Sequence, residues 1–133
     1  EVVAMRERIA PQTKIIGNGD IQNRMHGEQL ARAHGVDGVM IGRGIFHDPY
    51  IFAAESPWSD VSIEEKLALY ARHIERFVEM QKTVGKNSDS IAPLKKFCKV
   101  YVAGFDGASD LRTELMQEST AECLLTVLKN ARI

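Results

Sequence analysis

Two short glycine-bearing segments carry the residue types that hold a phosphate: Gly17-Asn18-Gly19-Asp20 and Gly42-Arg43-Gly44. Glycine lets a backbone come close to a ligand, and successive amides at a turn or helix start can aim several N–H donors at one anion. Arg43 adds a permanent charge on a planar fork that suits phosphate oxygens. Asn18 offers a side-chain donor, whereas Asp20, an acid beside an anion, fits bracing of the turn better than contact with the ligand. Read singly, each segment is equally a tight turn with no ligand. Two in matching positions favour a shared anion site.

The elements that must position them are short. Each segment follows an apolar run, Ile15-Ile16 in one case and Val39-Met40-Ile41 in the other. Between the runs, residues 23–34 have a helical pattern with Met25, Leu30, Ala31 and Ala33 at the apolar positions, and Gly35 stands where a left-handed C-cap belongs. Strands over 14–17 and 37–41 around that helix make one βαβ unit, whose parallel strands should be buried on both faces. Both glycine segments then lie at carboxyl strand ends, the edge at which open α/β sheets and (β/α)8 barrels bind ligands. A helix over 1–10, carrying Val2, Val3, Met5 and Ile9 and ending before Pro11, should precede the first strand. A turn of helix over 42–46 and a short helix over 48–54 should follow the second, with Tyr50, Ile51 and Phe52 covering the end of the barrel.

Ser56-Pro57-Trp58-Ser59-Asp60 reads as a linker, and beyond it the apolar period is helical throughout. The expected organisation is an α/β part over residues 1–55, a linker over 56–61 and a helical domain over 62–133. Ser62 with Glu65 makes a capping box, followed by Leu67, Tyr70, Ile74, Phe77 and Val78 on one face and a stop at Gly85. A polar loop over 86–90 leads to a helix with Ile91, Leu94, Phe97, Cys98, Tyr101, Val102 and Phe105 on one stripe, ended by Gly104 and Gly107. A short segment around 111–116 precedes a second capping box, Ser119 with Glu122, and then Leu124, Leu125 and Leu128. Four such segments suggest a small antiparallel bundle. The fold class is thus α/β plus all-α.

The 133 residues are 44% hydrophobic and 26% charged, ordinary for a globular chain, and suffice for one sizeable core or two small ones. A net charge of −1 gives no global attraction to nucleic acid, so any RNA contact needs a local basic patch. No apolar run reaches membrane-spanning length. Cys98 and Cys123 form no metal-ligand pattern and are expected as free core thiols in a reducing cytoplasm. A (β/α)8 barrel takes roughly 250 residues, whereas two strands are visible here. With Glu1 opening the chain inside a helical pattern, a C-terminal fragment is expected. Its N-terminal half should be poorly ordered or packed against a second copy, since a lone βαβ piece exposes both faces of its sheet.

The motif Gly17-Asn18-Gly19-Asp20-Ile21, together with Asp37-Gly38-Val39-Met40-Ile41-Gly42-Arg43-Gly44 and Pro49-Tyr50-Ile51-Phe52, resembles the end of the flavin barrel of the tRNA-dihydrouridine synthases. Leu94-Lys95-Lys96-Phe97, Gly104-Phe105-Asp106-Gly107-Ala108 and Leu111-Arg112 resemble that family's C-terminal helical domain, so the similarity covers nearly the whole chain. The resemblance implies FMN held by Asn18, Gly19, Asp20, Gly42 and Arg43, with NADPH as the reductant and a tRNA uridine reduced to dihydrouridine. It places the family's general-acid cysteine on an earlier barrel loop, outside this chain, so no catalytic residue is assigned. Cys98 and Cys123 do not inherit that role, and the chain alone should be inactive.

Lys95, Lys96 and Lys99, with Arg112 beyond them, form a basic cluster in the helical part. On residues alone it is a solvated stripe; the resemblance turns it toward tRNA phosphates. His26, His34, His47 and His73 have no metal-type partner spacing and read as surface or capping residues. Tyr101 and Phe105 read as core, and Trp58, in the linker, as a residue pinning the two domains together. The alternatives are another FMN barrel oxidoreductase acting on a small molecule, which has no use for an appended basic bundle, and a non-catalytic RNA-binding or dimerising module.

Overall fold

The computed structural model describes residues 1–85 and 90–131, so most of the expected polar loop over 86–90 lies outside the described residues. The chain divides into two compact units, Glu1–Ser59 and Asp60–Ile133.

The first unit runs α1 (Val2–Ile9), β1 (Ile16–Asn18), α2 (Arg24–His34), β2 (Gly38–Met40) and a 3-10 turn at Arg43–Phe46. β1 and β2 are parallel, with Ile16 opposite Gly38, Gly17 opposite Val39 and Asn18 opposite Met40. Local chemistry sets the helix ends. The Asn23 side chain accepts from the His26 amide at 2.8 Å, and Gly35 closes α2 in the left-handed region at φ 66°.

Clearance, rather than the apolar stripe, selects the face that α2 turns inward. Gly27 is the buried residue of α2, and a Cβ there would lie 2.8 Å from Val39 Cγ2 and 3.2 Å from Ile21 Cγ2. The helix therefore sits hard against β2, and Met25, expected inside, is 63% exposed. The strands are not buried on both faces either: Ile16 is 58% exposed, and α1 buries no residue at all. Within this unit the two-stranded sheet packs against α2 and leaves Ile16 exposed. The expected helix over 48–54 is instead a pair of turns. The Asp48 carboxylate accepts from the Tyr50 amide at 2.7 Å, the Asp48 carbonyl from the Ile51 amide and the Tyr50 carbonyl from the Ala53 amide. Trp58 stands tilted 6.3 Å from Tyr50.

At the amino ends of the strands, Asp37 gathers three donors: Arg6 Nη1 at 2.7 Å, Lys14 Nζ at 3.0 Å and the Ile15 amide at 2.9 Å. The Ile15 amide first, then Lys14 and Arg6, hold its carboxyl well below the usual carboxylate range. The Asp37 amide in turn donates to the Ile15 carbonyl, which locks the β1–β2 register from below.

The second unit comprises α3 (Ile63–Thr83), α4 (Ala92–Lys95), α5 (Cys98–Tyr101), α6 (Ala108–Gln117) and α7 (Ala121–Asn130). The Ser62–Glu65 capping box is present, with both reciprocal bonds formed. Leu67, Tyr70, Ile74, Leu94, Cys98, Val102, Leu115, Leu124 and Leu128 fill the core, and Tyr70 stacks on Tyr101 at 4.9 Å. The single helix expected from Ile91 to Phe105 is broken into α4 and α5. The buried Tyr70 hydroxyl donates to the Leu94 carbonyl at 3.1 Å, and that carbonyl also accepts the Phe97 amide in a tighter i→i−3 bond. The α7 cap is Thr120, not Ser119: its hydroxyl accepts from the Cys123 amide at 3.1 Å, which leaves Glu122 one place short of closing a capping box. Two further expectations fail here. Cys123 is exposed, while Cys98 is the core thiol. His73 is half-buried, edge-on to Phe97, with Nδ1 3.2 Å from the Tyr101 hydroxyl, and burial lowers its pKa. No helix among the described residues is long and apolar enough to cross a membrane.

Candidate functional site

The register that pairs Asn18 with Met40 carries the two glycine segments to neighbouring strand tips. After β1 the backbone turns through Gly19 at φ 154° and Asp20 at φ 38°, both outside the region L-residues favour. A Cβ at Gly19 would meet nothing within 4 Å, so glycine is needed there for conformation, not for space. Gly44 is the reverse case. A Cβ there would collide with Ile51 Cδ1 and come within 3.0 Å of the Ile21 carbonyl oxygen and 3.1 Å of Ile41 Cγ2. That contact seats the 3-10 turn against the first tip and explains why Ile51 is buried. Gly17 and Gly42 face ordinary contacts only, so two of the four glycines carry the constraint.

An open pocket of about 1010 Å³ lies between the tips, lined by Asn18, Gly19, Asp20, Gly42 and Arg43, with Gly44, Gln22 and His47 at its edge. All five residues assigned to a cofactor from sequence therefore share one concavity. Across it, Arg43 Nη2 meets Asp20 Oδ1 at 2.6 Å, with the two side chains 86% and 87% exposed. The Ile45 amide bonds back to the Gly42 carbonyl and the His47 amide to the Gly44 carbonyl. The amides of Arg43 and Gly44 open the turn and have no partner within it. Amides at the opening of a turn, an exposed guanidinium and a wide mouth can hold a phosphate or sulfate-like anion.

A family model described as "Dihydrouridine synthase (Dus)" matches residues 1–132. This chain belongs to that family. It is 42% identical over 122 residues to a "Probable tRNA-dihydrouridine synthase" of Staphylococcus epidermidis, covering 91% of this chain and 36% of that protein. Against "Probable tRNA-dihydrouridine synthase 2" of Bacillus subtilis it is 38% identical over 122 residues, covering 92% and 36%. A Staphylococcus aureus relative of the first name is 44% identical over 119 residues, covering 89% and 35%. The chain thus spans about a third of the length of these dihydrouridine synthases.

In the second unit, the basic residues are only partly brought together. Lys95, Lys99 and Arg112 line a concavity of about 420 Å³ and Lys96 does not. Lys95 Nζ donates to the Met116 carbonyl at 2.7 Å and Arg112 Nη1 to the Val102 carbonyl at 2.8 Å, so both close helix ends. Lys96 and Lys99 are exposed. Burial pushes the Cys98 thiol up, against a smaller opposing effect of Arg112. Sequence reasoning missed Gln22 and His47 at the strand-tip pocket. The one available signal was their position, two residues after the first segment and three after the second. Among the described residues, no group of three or more His, Cys, Asp or Glu is placed to hold a metal ion.

Proposed function

We propose that this chain is the C-terminal portion of an FMN-dependent tRNA-dihydrouridine synthase, in which β1, α2 and β2 belong to the last βα units of a (β/α)8 barrel. On this reading residues 1–55 are barrel, 56–61 the linker and 62–133 a tRNA-binding helical domain, in an enzyme of the cytoplasm. The observation that carries it is the meeting of Asn18, Gly19 and Asp20 with Gly42 and Arg43 around one pocket at parallel strand ends. The exposure of Ile16 on β1 and of Val2, Met5 and Ile9 on α1 is what a wall of a larger barrel would leave when taken alone. In isolation those side chains would favour self-association.

The residues fit a flavin phosphate. The Arg43 and Gly44 amides and the Arg43 guanidinium supply donors, the Asn18 amide group can donate to a phosphate or ribityl oxygen, and Gly44 allows the second tip to pack close enough to share the anion. A bound flavin, reduced by NADPH, would supply the hydride that saturates the uracil ring. This chain anchors and orients. Neither of its thiols suits a proton donor at that ring: Cys98 is buried in the helical core with a raised pKa, and Cys123 lies on α7 of the same unit. Lys96 and Lys99 remain available for tRNA phosphates, in the backbone-positioning manner expected of lysines, with Lys95 and Arg112 contributing beside their capping bonds.

Arg43→Ala in the full-length protein tests the assignment. The ratio of flavin-bound to flavin-free protein at a fixed free flavin concentration, read from absorbance, should fall about tenfold, on the order of one lost charge-assisted contact. Unchanged occupancy rejects Arg43 as the anchor. Hydride transfer to tRNA rather than to an enone separates this enzyme from a small-molecule FMN barrel, and a colourless protein that still binds tRNA would identify a module without chemistry.

A further inference from the structure

Asp20 stands where an incoming anion would have to bind. Its Oδ1 is 2.6 Å from Arg43 Nη2, a bond that crosses from one strand tip to the other. Among the residues lining the pocket, Asp20 is the acid and Arg43 the permanent cation, so the permanent charges of the mouth cancel. The pair is almost wholly exposed, at 86% and 87%, and an ion pair in that setting adds little to stability and exchanges partners at small cost. Its backbone is equally telling. Asp20 follows Gly19 into positive φ, a conformation with a steric cost for any side chain, and that reversal brings the carboxylate back across to Arg43. Asp and Asn are the side chains that bear this conformation most readily, so what sets Asp20 apart from its amide at that place is the charge it presents to Arg43.

We infer that Asp20 is a charge brake on the anion site: it occupies Arg43 until a dianionic phosphate monoester displaces it, and so sets the strength and selectivity of phosphate capture. This rests on the phosphate reading given above. A monoanion gains little by exchanging one carboxylate for another singly charged group. A phosphate dianion brings a second charge and further acceptor oxygens for the Arg43 and Gly44 amides, which a carboxylate on a short side chain from the other tip does not engage. A ligand with no phosphate is indifferent to the brake.

The test is a pair of titrations of the full-length protein, with FMN and with riboflavin, followed by quenching of flavin fluorescence. The ratio of the two affinities isolates the phosphate. Asp20→Asn keeps an acceptor oxygen for Arg43, suits positive φ and removes the charge. At low ionic strength the variant should bind FMN about fivefold tighter, the Coulomb scale of one charge near contact distance in water, with riboflavin affinity unchanged. The gain should shrink as salt rises. An FMN-to-riboflavin ratio equal to or below that of the unmodified protein overturns the brake while leaving the phosphate site in place. If the unmodified protein binds FMN and riboflavin alike, the phosphate reading falls and the brake with it.

Discussion

The same two strands carry an arginine–aspartate pair at each end, and the two pairs are built differently. At the amino ends, Asp37 is held by Arg6, Lys14 and the Ile15 amide, with the Arg6 and Asp37 side chains 11% and 22% exposed. At the carboxyl ends, Asp20 and Arg43 share one contact and stand 87% and 86% in solvent. Arg6 also donates to the Thr13 carbonyl, and its Nε is buried without a partner, so the lower arginine is committed to its place. Arg43 has no such second tie to the fold among the described side-chain bonds. The difference separates holding from exchanging. A pair with several donors and little water fixes strand register; a pair with one contact and open water is ready to trade a partner.

Removing the lower carboxylate should break this contrast most strongly. Asp37→Ala leaves the largely buried Arg6 with the exposed Glu7 as its ion partner and frees the β1–β2 register, and should lower the urea midpoint more than any change at the tips. Asp37 also predicts an acid limb. Its folded pKa is depressed, so its contribution is fully present above the unfolded value near 3.9 and is lost as pH falls from there toward the folded value. Asp37→Asn should flatten that limb in a series of urea melts at descending pH; an unaltered limb would mean that other carboxylates govern it. Gly44→Val comes next. Its side chain would collide with Ile51 and crowd the Ile21 carbonyl, for a loss of about 1–3 kcal/mol in unfolding free energy. A melt matching the unmodified protein would show that the second tip is not seated as described. Least affected should be the upper pair: Arg43→Ala should alter stability by no more than about 0.5 kcal/mol while flavin occupancy collapses. A large stability loss there would erase the distinction between the two ends.

What could be read from sequence was what short-range chemistry decides. Gly35 as a left-handed cap, the Ser62–Glu65 box and the two glycine segments each depend on residues a few places apart, and all stand as expected. The misreadings share one origin in distant partners. Met25 is outside because Val39 and Ile21 admit only Gly27 at the contact, and no helical period reveals that clearance. The break between α4 and α5 comes from a tyrosine twenty-four residues earlier donating to the Leu94 carbonyl. The Ser119 assignment failed for a smaller reason: serine and threonine both serve as caps, serine the better by type, and the extended backbone at Thr120 chose the second. At the site, the turns were legible because glycine is demanded by the backbone reversal at Gly19 and by close packing at Gly44. The Asp20–Arg43 bond was not, since it depends on how two tips twenty-three residues apart are aligned.

The cationic caps of the second unit bind its helices to one another. Lys95, at the end of α4, caps the Met116 carbonyl in the last turn of α6, and Arg112, within α6, caps the Val102 carbonyl at the end of α5. Neither α5 nor α6 can fray at its carboxyl end without pulling a side chain away from its neighbour. These two links tie the three helices in series, α4 to α6 and α6 to α5, so amide protons across them should be released in one concerted opening rather than helix by helix.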